Sequence, residues 1–435
     1  MFPRRLSALQ SLRFVRWSST FSQGLSGLKI NSDRLQETIH HTCQWGAAHR
    51  YGRGSNETGM ARLTLSDEDA AARRWFIEET QRLGCDVKVD QMGNIFARKR
   101  GSLGSKLPMT AMGSHLDTQP QGGRYDGILG VIAGIEALRT MKENGYHSKF
   151  DIGVITWTNE EGARFPGTTV SSKVWAGEIP IQRAWDLRDV SDPSITMKSE
   201  LERHGYLGKT PCPLLESRGR KIGVVRGVQA CRWLTFTVVG RSAHSGTTPY
   251  SARKDPLLAA AKMIATSNEL AQKSGAFVTT GVIKVPPGSS TNAVASRATF
   301  TVDIRHPDDK AISEVQEQCL AFFQEISREN GVELSWSIDV NSPATTFDED
   351  CVWAVETAAN GIVGHDGWLR MTSGATHDSV NTSKHCPTTM IFVPCKDGVS
   401  HHPEEYCSPE NCALGAQTLL ESVIIYDNMR HENVQ

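Results

Sequence analysis

The spacing of apolar and polar positions divides the chain into short strands and longer helices. From Ser66 to Leu83, Ser-Asp-Glu-Asp precedes Ala70, Ala71, Trp75, Phe76 and Leu83, predicting a helix with acidic residues in the first turn, where the helix dipole favours them. Val87 and Val89, then Ile95 and Phe96, predict a hairpin broken at Met92-Gly93-Asn94. Met109 to Gly113 reads as a short strand. Ile128, Val131, Ile132, Ile135, Leu138 and Met141 fall at helical spacing, so Gly127 to Glu143 should be a helix with one buried face. Phe150 to Trp157 follows as a buried strand. Strand, crossover helix and strand make a βαβ unit, whose ligands bind beyond the carboxyl ends of the strands. His115 and the pair Glu160-Glu161 sit just past two such ends.

A second region begins near Val228. Leu234, Phe236 and Val238 alternate with Thr235, Thr237 and Val239, and Asp255-Pro256 opens a helix. Phe277 to Val285 and Thr299 to Arg305 read as strands. A helix from Asp308 carries Ile312, Val315, Cys319, Phe322 and Ile326, and Val332, Leu334, Trp336, Ile338 and Val340 then alternate strictly. The order βαββαβ suits two helices on one face of an antiparallel sheet. After Pro343 come glycine-rich turns, and Ser408-Pro409 starts a terminal helix. The fold class is therefore α/β: a mixed-sheet domain over 29–227 and 344–435, interrupted by an inserted α+β domain over 228–343.

Composition narrows the picture. A chain of 435 residues is too long for one core and fits two or three domains. With 47 basic against 48 acidic residues, it offers no net charge for a polyanion, which argues against nucleic acid as the main partner. The ten cysteines include no Cys-x-x-Cys pair, so they read as free thiols in a reducing compartment. No apolar run is long enough to span a membrane. Residues 1–28 stand apart: Arg4, Arg5, Arg13 and Arg16 occur among Ser and Leu, with no acidic residue before Asp33. That composition is expected of a mitochondrial transit peptide, with a cytoplasmic location the alternative.

The candidate chemistry lies in two stretches. Gly113-Ser-His115-Leu-Asp117-Thr and Gly122-Gly-Arg-Tyr-Asp126-Gly127 put a histidine, two carboxylates and several glycines between a strand and a helix. Neutral imidazole and carboxylate suit Zn²⁺, Mn²⁺ or Co²⁺. In Asn159-Glu160-Glu161-Gly162 one carboxylate can bind a metal while its neighbour handles a proton, although an isolated acidic pair more often makes a solvated loop.

Taken together, six ordered segments resemble the M20 metallohydrolases, within them the N-carbamoyl-L-amino-acid hydrolase and β-ureidopropionase group near the allantoate amidohydrolases. They are the two stretches around His115 and Asp126, Asn159-Glu-Glu-Gly-Ala-Arg-Phe165, Gly240-Arg-Ser-Ala-His244-Ser-Gly-Thr-Thr-Pro249, Asp303-Ile-Arg305-His306 and Asp397-Gly-Val-Ser-His401-His-Pro-Glu404. The resemblance implies a metal-dependent hydrolase of linear C–N bonds in N-carbamoyl amino acids, giving the amino acid, carbon dioxide and ammonia. Allantoate-like ureides and small peptides are the alternative substrates.

The same resemblance implies a di-metal site: His115 on one ion, Asp126 bridging two, and Glu161 with His401 on the second. Asp117 would orient His115 from behind, and Glu160 would be the general base. His401 rather than His402 takes the ligand position. The inserted domain would make a homodimer and supply His244 for the oxyanion and Asn292 and Arg305 for the substrate carboxylate; His377 would line the cleft. Expected partners are a small N-carbamoyl amino acid and a second copy of the chain, with neither nucleic acid nor membrane.

One element of the resemblance is missing. Carbamoylase-type members carry His-Ile-Glu-Gln-Gly-Pro-x-Leu-Glu before the inserted domain, and its histidine shares an ion with His115. Here Pro213-Leu-Leu-Glu216 matches only the tail, and the position expected for the histidine is Gly208. The resemblance implies that a segment of roughly 15 to 20 residues, a strand with its connection, has been lost between Cys212 and Pro213, through an omitted exon or an internal deletion. The first site then holds fewer ligands, one ion in place of two is an alternative, and a catalytically impaired protein becomes the rival reading. His204 is a weak substitute candidate.

Overall fold

The computed structural model describes residues 25–104, 107–208 and 224–432. The first 24 residues of the leader and the Cys212–Pro213 junction lie outside the described residues. The chain divides into two compact units: one of Met1–Arg226, Phe347–Met371 and Thr376–Gln435, the other of Gly227–Thr346 and Thr372–Ala375.

The first unit starts with helices α1 (Ser32–Thr42) and α2 (Asp67–Arg82). Ser66 caps α2 by accepting the Asp69 N–H, ahead of the acidic first turn. Strands β1 (Asp86–Val89) and β2 (Ile95–Lys99) form the expected hairpin, and β3 (Thr110–His115), α3 (Ile128–Glu143) and β4 (Ile152–Trp157) form the βαβ unit. The sheet order is β1-β2-β4-β3, with β3 and β4 parallel and the other pairs antiparallel. Helix α4 (Met197–Arg203) closes this first part.

The second unit comprises β5 (Ala230–Val239), α5 (Pro256–Ser274), β6 (Phe277–Thr279), β7 (Arg297–His306), α6 (Asp309–Asn330) and β8 (Glu333–Ser342). The sheet order is β6-β7-β5-β8, antiparallel throughout. Asp255 and Asp308 cap the two helices through their carboxylates. Phe236 stacks on Phe300 at 5.1 Å and meets Phe323 edge-on at 5.0 Å, joining both central strands to α6. The expected strand from Phe277 to Val285 is broken in two: β6 and the pair Ile283–Lys284 bond separately to β7. The strict alternation in β8 is interrupted by a register shift between Ile338 and Val340. Leu334, Trp336 and Ile338 lie opposite Val238, Phe236 and Leu234, but at the end strand Trp336 and Ile338 stay exposed.

Back in the first unit, α7 (Glu349–Val363) packs on the terminal helix α8 (Pro409–Glu432), which packs on α3. This corrects the one-sided burial expected of α3. Gly134, Ala137 and even Glu136 are buried along with the apolar stripe, because α3 lies between β3–β4 on one side and α1 and α8 on the other. The buried Glu136 carboxylate is met by Arg34 at 2.8 Å, as a charge removed from water requires. The sheet beneath is as dry: Ile152, Val154 and Trp157 of β4 are buried, as in a parallel pair covered on both faces.

Candidate metal centre

Because β3 and β4 run parallel with His115 opposite Trp157, both strands end at one level. His115 is the last residue of β3, and Glu160 and Glu161 follow three and four residues beyond β4. Asn159 turns the chain there at φ 59°, its side-chain amide donating to the carbonyls of Phe165 and Gly167 at 3.0 Å. Three buried residues thus converge from two strand ends.

The His115 ring is held in one tautomer. Its Nδ1 lies 2.9 Å from the Asp117 carbonyl, which only accepts, so Nδ1 carries a proton and, in the neutral ring, Nε2 keeps its lone pair. That Nε2 faces Asp126 Oδ1 at 3.7 Å and Glu160 Oε2 at 3.5 Å. The part expected of the Asp117 carboxylate is therefore taken by its carbonyl. The carboxylate stands 3.9 Å from Nδ1 and accepts the Glu161 N–H at 3.3 Å, and burial pushes it up to about 7.

Asp126 faces two ways. Oδ1 looks to His115, while Oδ2 is 3.3 Å from His401 Nε2 and accepts the Ser400 hydroxyl at 3.2 Å. Its backbone explains the pose. The Ile128 N–H donates to the Asp126 carbonyl at 2.7 Å across Gly127, whose φ of 70° and ψ of −53° define a classical γ-turn. A Cβ on Gly127 would stand 2.4 Å from the His115 ring, so this glycine answers to both conformation and space. His401, itself at φ 54°, also approaches Glu161 Oε2 at 3.4 Å. Asp126, Glu161 and His401 each offer a ligand atom within 4.8 Å of the others.

Electrostatics reflect the crowding. Burial raises Glu160 well above the carboxylate range; His115 opposes this while Asp378, Glu161 and Asp126 add to it. Burial would also raise Asp126, but its pairing with His401 and the charge of the nearby imidazoles hold it below the usual range. Burial would lower His115, and the surrounding carboxylates outweigh that to raise it. Around His377 burial dominates and lowers it to about 4, although Asp126 opposes this; burial pushes Asp378 up to about 6.

The donor set fits a divalent cation. Two imidazole nitrogens and several carboxylates surround one gap, at separations of 3.3 to 3.7 Å that are too long for good hydrogen bonds. Two atoms each about 2.1 Å from one ion at a tetrahedral angle lie about 3.4 Å apart. The buried Asp117 Oδ1, aimed towards this cluster through His115, has no hydrogen-bond partner.

Several contributors were not singled out from sequence. Glu405 accepts the Asp126 N–H at 2.9 Å and the Ser400 hydroxyl at 3.3 Å, with burial and then Asp126 pushing it up to about 7. Gln119 donates to Glu161 Oε2 at 2.8 Å. Neither contact leaves a local signal, since Glu405 is 279 residues from Asp126. Other candidates fall elsewhere. His402 Nδ1 accepts the Glu404 N–H in its own turn. His204 stands 3.7 Å from Asp67, outside the cluster.

His244, Asn292 and Arg305 belong to the second unit. His244 Nδ1 accepts the N–H groups of Gly246 and Thr247 at 3.1 and 3.2 Å, which leaves Nε2–H as a donor. The Asn292 carbonyl accepts the Ser245 N–H at 2.9 Å. Arg305 is paired with Asp303 through Nε and Nη2 at 3.0 and 2.8 Å, and Nη1 donates to the Gly374 carbonyl at 2.6 Å.

An α/β unit with imidazole and carboxylate groups beyond parallel strand ends, a buried glutamate pair and an inserted βαββαβ unit is the architecture of a metal-dependent hydrolase. The family model for peptidase family M20/M25/M40 matches residues 111–424, and the chain belongs to that family. An N-carbamoyl-L-amino-acid amidohydrolase of Rhizobium meliloti is 35% identical, over 91% of this chain and 96% of its own length. The allantoate amidohydrolase of Bacillus subtilis is 30% identical, over 89% and 97%. The crystal structure of a hydantoinase/carbamoylase family amidase from Burkholderia multivorans superposes with a TM-score of 0.80 at 33% identity, covering 91% of this chain and 97% of that one. The protein is a divalent-metal-dependent amidohydrolase acting on C–N bonds other than peptide bonds.

Proposed function

We propose that the substrate is an N-carbamoyl amino acid and that its ureido C–N bond is hydrolysed to the amino acid, carbon dioxide and ammonia. The observation that carries this is the buried Glu160 carboxylate, 3.5 Å from His115 and among the Asp126, Glu161 and His401 ligand atoms. His115 with Asp126, and Asp126 with Glu161 and His401, would hold two ions of zinc, manganese or cobalt. Bound there, they supply Lewis acidity and lower the pKa of water. Glu160 takes the proton of the attacking water and returns it to the departing amino acid nitrogen.

His244, with Nε2–H free to donate, suits an oxyanion at the attacked carbon. Arg305 keeps two N–H groups beyond those given to Asp303 and Gly374, which matches a carboxylate approached in a bidentate manner. Asn292 is assigned to the same carboxylate and His377 to the cleft wall. Exposed Phe322, Trp336 and Ile338 on α6 and β8 favour a homodimer through the second unit. The leader is proposed to direct the chain to mitochondria.

Metal analysis of the purified protein should give about two ions per chain, and N-carbamoyl-β-alanine or N-carbamoyl-α-amino acids should turn over. Glu160→Gln should abolish turnover while metal stays bound. Allantoate cleaved in preference would transfer the proposal to diureides.

A second reading, an impaired enzyme, is favoured by the missing segment between Cys212 and Pro213. In agreement, the match to the Rhizobium protein runs over 414 aligned residues yet covers only 91% of this 435-residue chain, so it opens gaps within it. One ion or none, with no turnover of any ureido substrate, would select this reading.

A further inference from the structure

The loop bearing Ser400, His401 and Glu405 begins and ends on a pair of thiols. Cys395 and Cys407 face each other across an antiparallel bridge. The Lys396 N–H donates to the Tyr406 carbonyl at 2.8 Å, which marks Cys395–Cys407 as a non-hydrogen-bonded pair. In such pairs the side chains are close and the Cα atoms about 4.5 Å apart, within disulfide range. A third thiol, Cys412 in the first turn of α8, reaches the Cys407 carbonyl at 3.8 Å. All three are free in the structure; Cys407 and Cys412 are buried and Cys395 is half-buried. Within the loop, Asp397 and His401 hold positive φ angles of 56° and 54°, a conformation that persists only where surroundings fix it.

We infer that Cys395 and Cys407 are a reversible thiol-modification site, at which a low-molecular-weight disulfide closes a Cys395–Cys407 bond that clamps the His401 loop. Cys395, the more accessible thiol, attacks one sulfur of the small disulfide, forms a mixed disulfide and releases one small thiol. Cys407 then attacks the Cys395 sulfur, closes the protein disulfide and releases the second. The two electrons pass to the small disulfide and the two protein thiol protons leave. The inference does not depend on the metal reading of the site.

The test treats the full-length protein with oxidised glutathione and maps disulfides by non-reducing peptide mass spectrometry, with amide hydrogen exchange of residues 396–406 before and after. The expected result is a Cys395–Cys407 peptide, reversed by dithiothreitol, with exchange in the loop slowed several-fold. Cys412→Ser should leave both results intact, and Cys395→Ser, at the half-buried position, should remove both while keeping the fold. A glutathione adduct left unresolved on Cys395, a Cys407–Cys412 bond instead, or a mapped bond with unchanged loop exchange would overturn the inference.

Discussion

Substituting Gly127 by alanine strikes the site at its tightest point. At φ 70° and ψ −53° the residue sits in a γ-turn that an L side chain tolerates poorly, a strain of about 1–3 kcal/mol. The new Cβ would also stand 2.4 Å from Cε1 and Nδ1 of His115. Ordinary contact needs a ring retreat of about 1 Å, which stretches the 2.9 Å bond from Nδ1 to the Asp117 carbonyl. A displacement of that size at a reacting centre costs about 100-fold in rate. Gly145→Ala separates the two effects, since Gly145 has φ 62° but nothing within 4 Å of its Cβ. Both variants should lose a few °C of melting temperature, at about 2–4 °C per kcal/mol for a unit of this size. Only Gly127→Ala should lose metal and N-carbamoyl amino acid turnover. Full metal content and turnover in Gly127→Ala would refute the placement of His115 at the reacting centre.

Glu160→Gln should lower kcat by about 100- to 10,000-fold with metal content unchanged by elemental analysis; loss of the metal as well would recast Glu160 as a ligand. Glu405→Ala removes the acceptor for the Asp126 N–H and should weaken metal binding about 10- to 100-fold in a chelator competition, with unaltered affinity counting against that support. Glu200 should govern part of the acid stability. Burial works against its charge, but hydrogen bonds from Arg203 and Arg164 outweigh this and hold it below the usual carboxylate range. With the folded pKa below the unfolded one, the stabilisation is full above the ordinary glutamate pKa of about 4.3 and fades as pH falls through the folded value. Urea midpoints of Glu200→Gln should therefore fall less between pH 7 and pH 4 than those of the wild type, and parallel losses would reject the assignment.

Much of this arrangement was legible because its signals are local. Period two and period 3.6 marked the βαβ unit and the βαββαβ unit, and His115, Asp126, Glu160, Glu161 and His401 stood at strand ends or in recognisable motifs. What escaped depends on contacts between distant segments. Nothing near Asn31 or Arg34 announces that Glu136, more than a hundred residues away, will be buried against them, so α3 looked one-sided. The sequence shows a glycine at position 127 without showing that a histidine ring occupies the space a Cβ would need. Arg305 is a different case. Residues two apart on a strand share a face, so its pairing with Asp303 followed from spacing alone.

The proposed ligands come from four stretches of chain, and each is fixed by something other than a metal. A backbone carbonyl holds His115, a γ-turn and Glu405 hold Asp126, Gln119 holds Glu161, and Ser400 ties the His401 loop to Asp126. The unusual backbone angles gather here as well: Gly127, Asn159 and His401 all have positive φ within this one cluster. Each costs free energy that only surrounding contacts repay, and carboxylates held this close repel one another. A fold that sustains both is set up to lower its energy by taking up positive charge. The same strain makes the cluster least stable where its supports are fewest, at the half-exposed His401 loop rather than at the buried ends of β3 and β4.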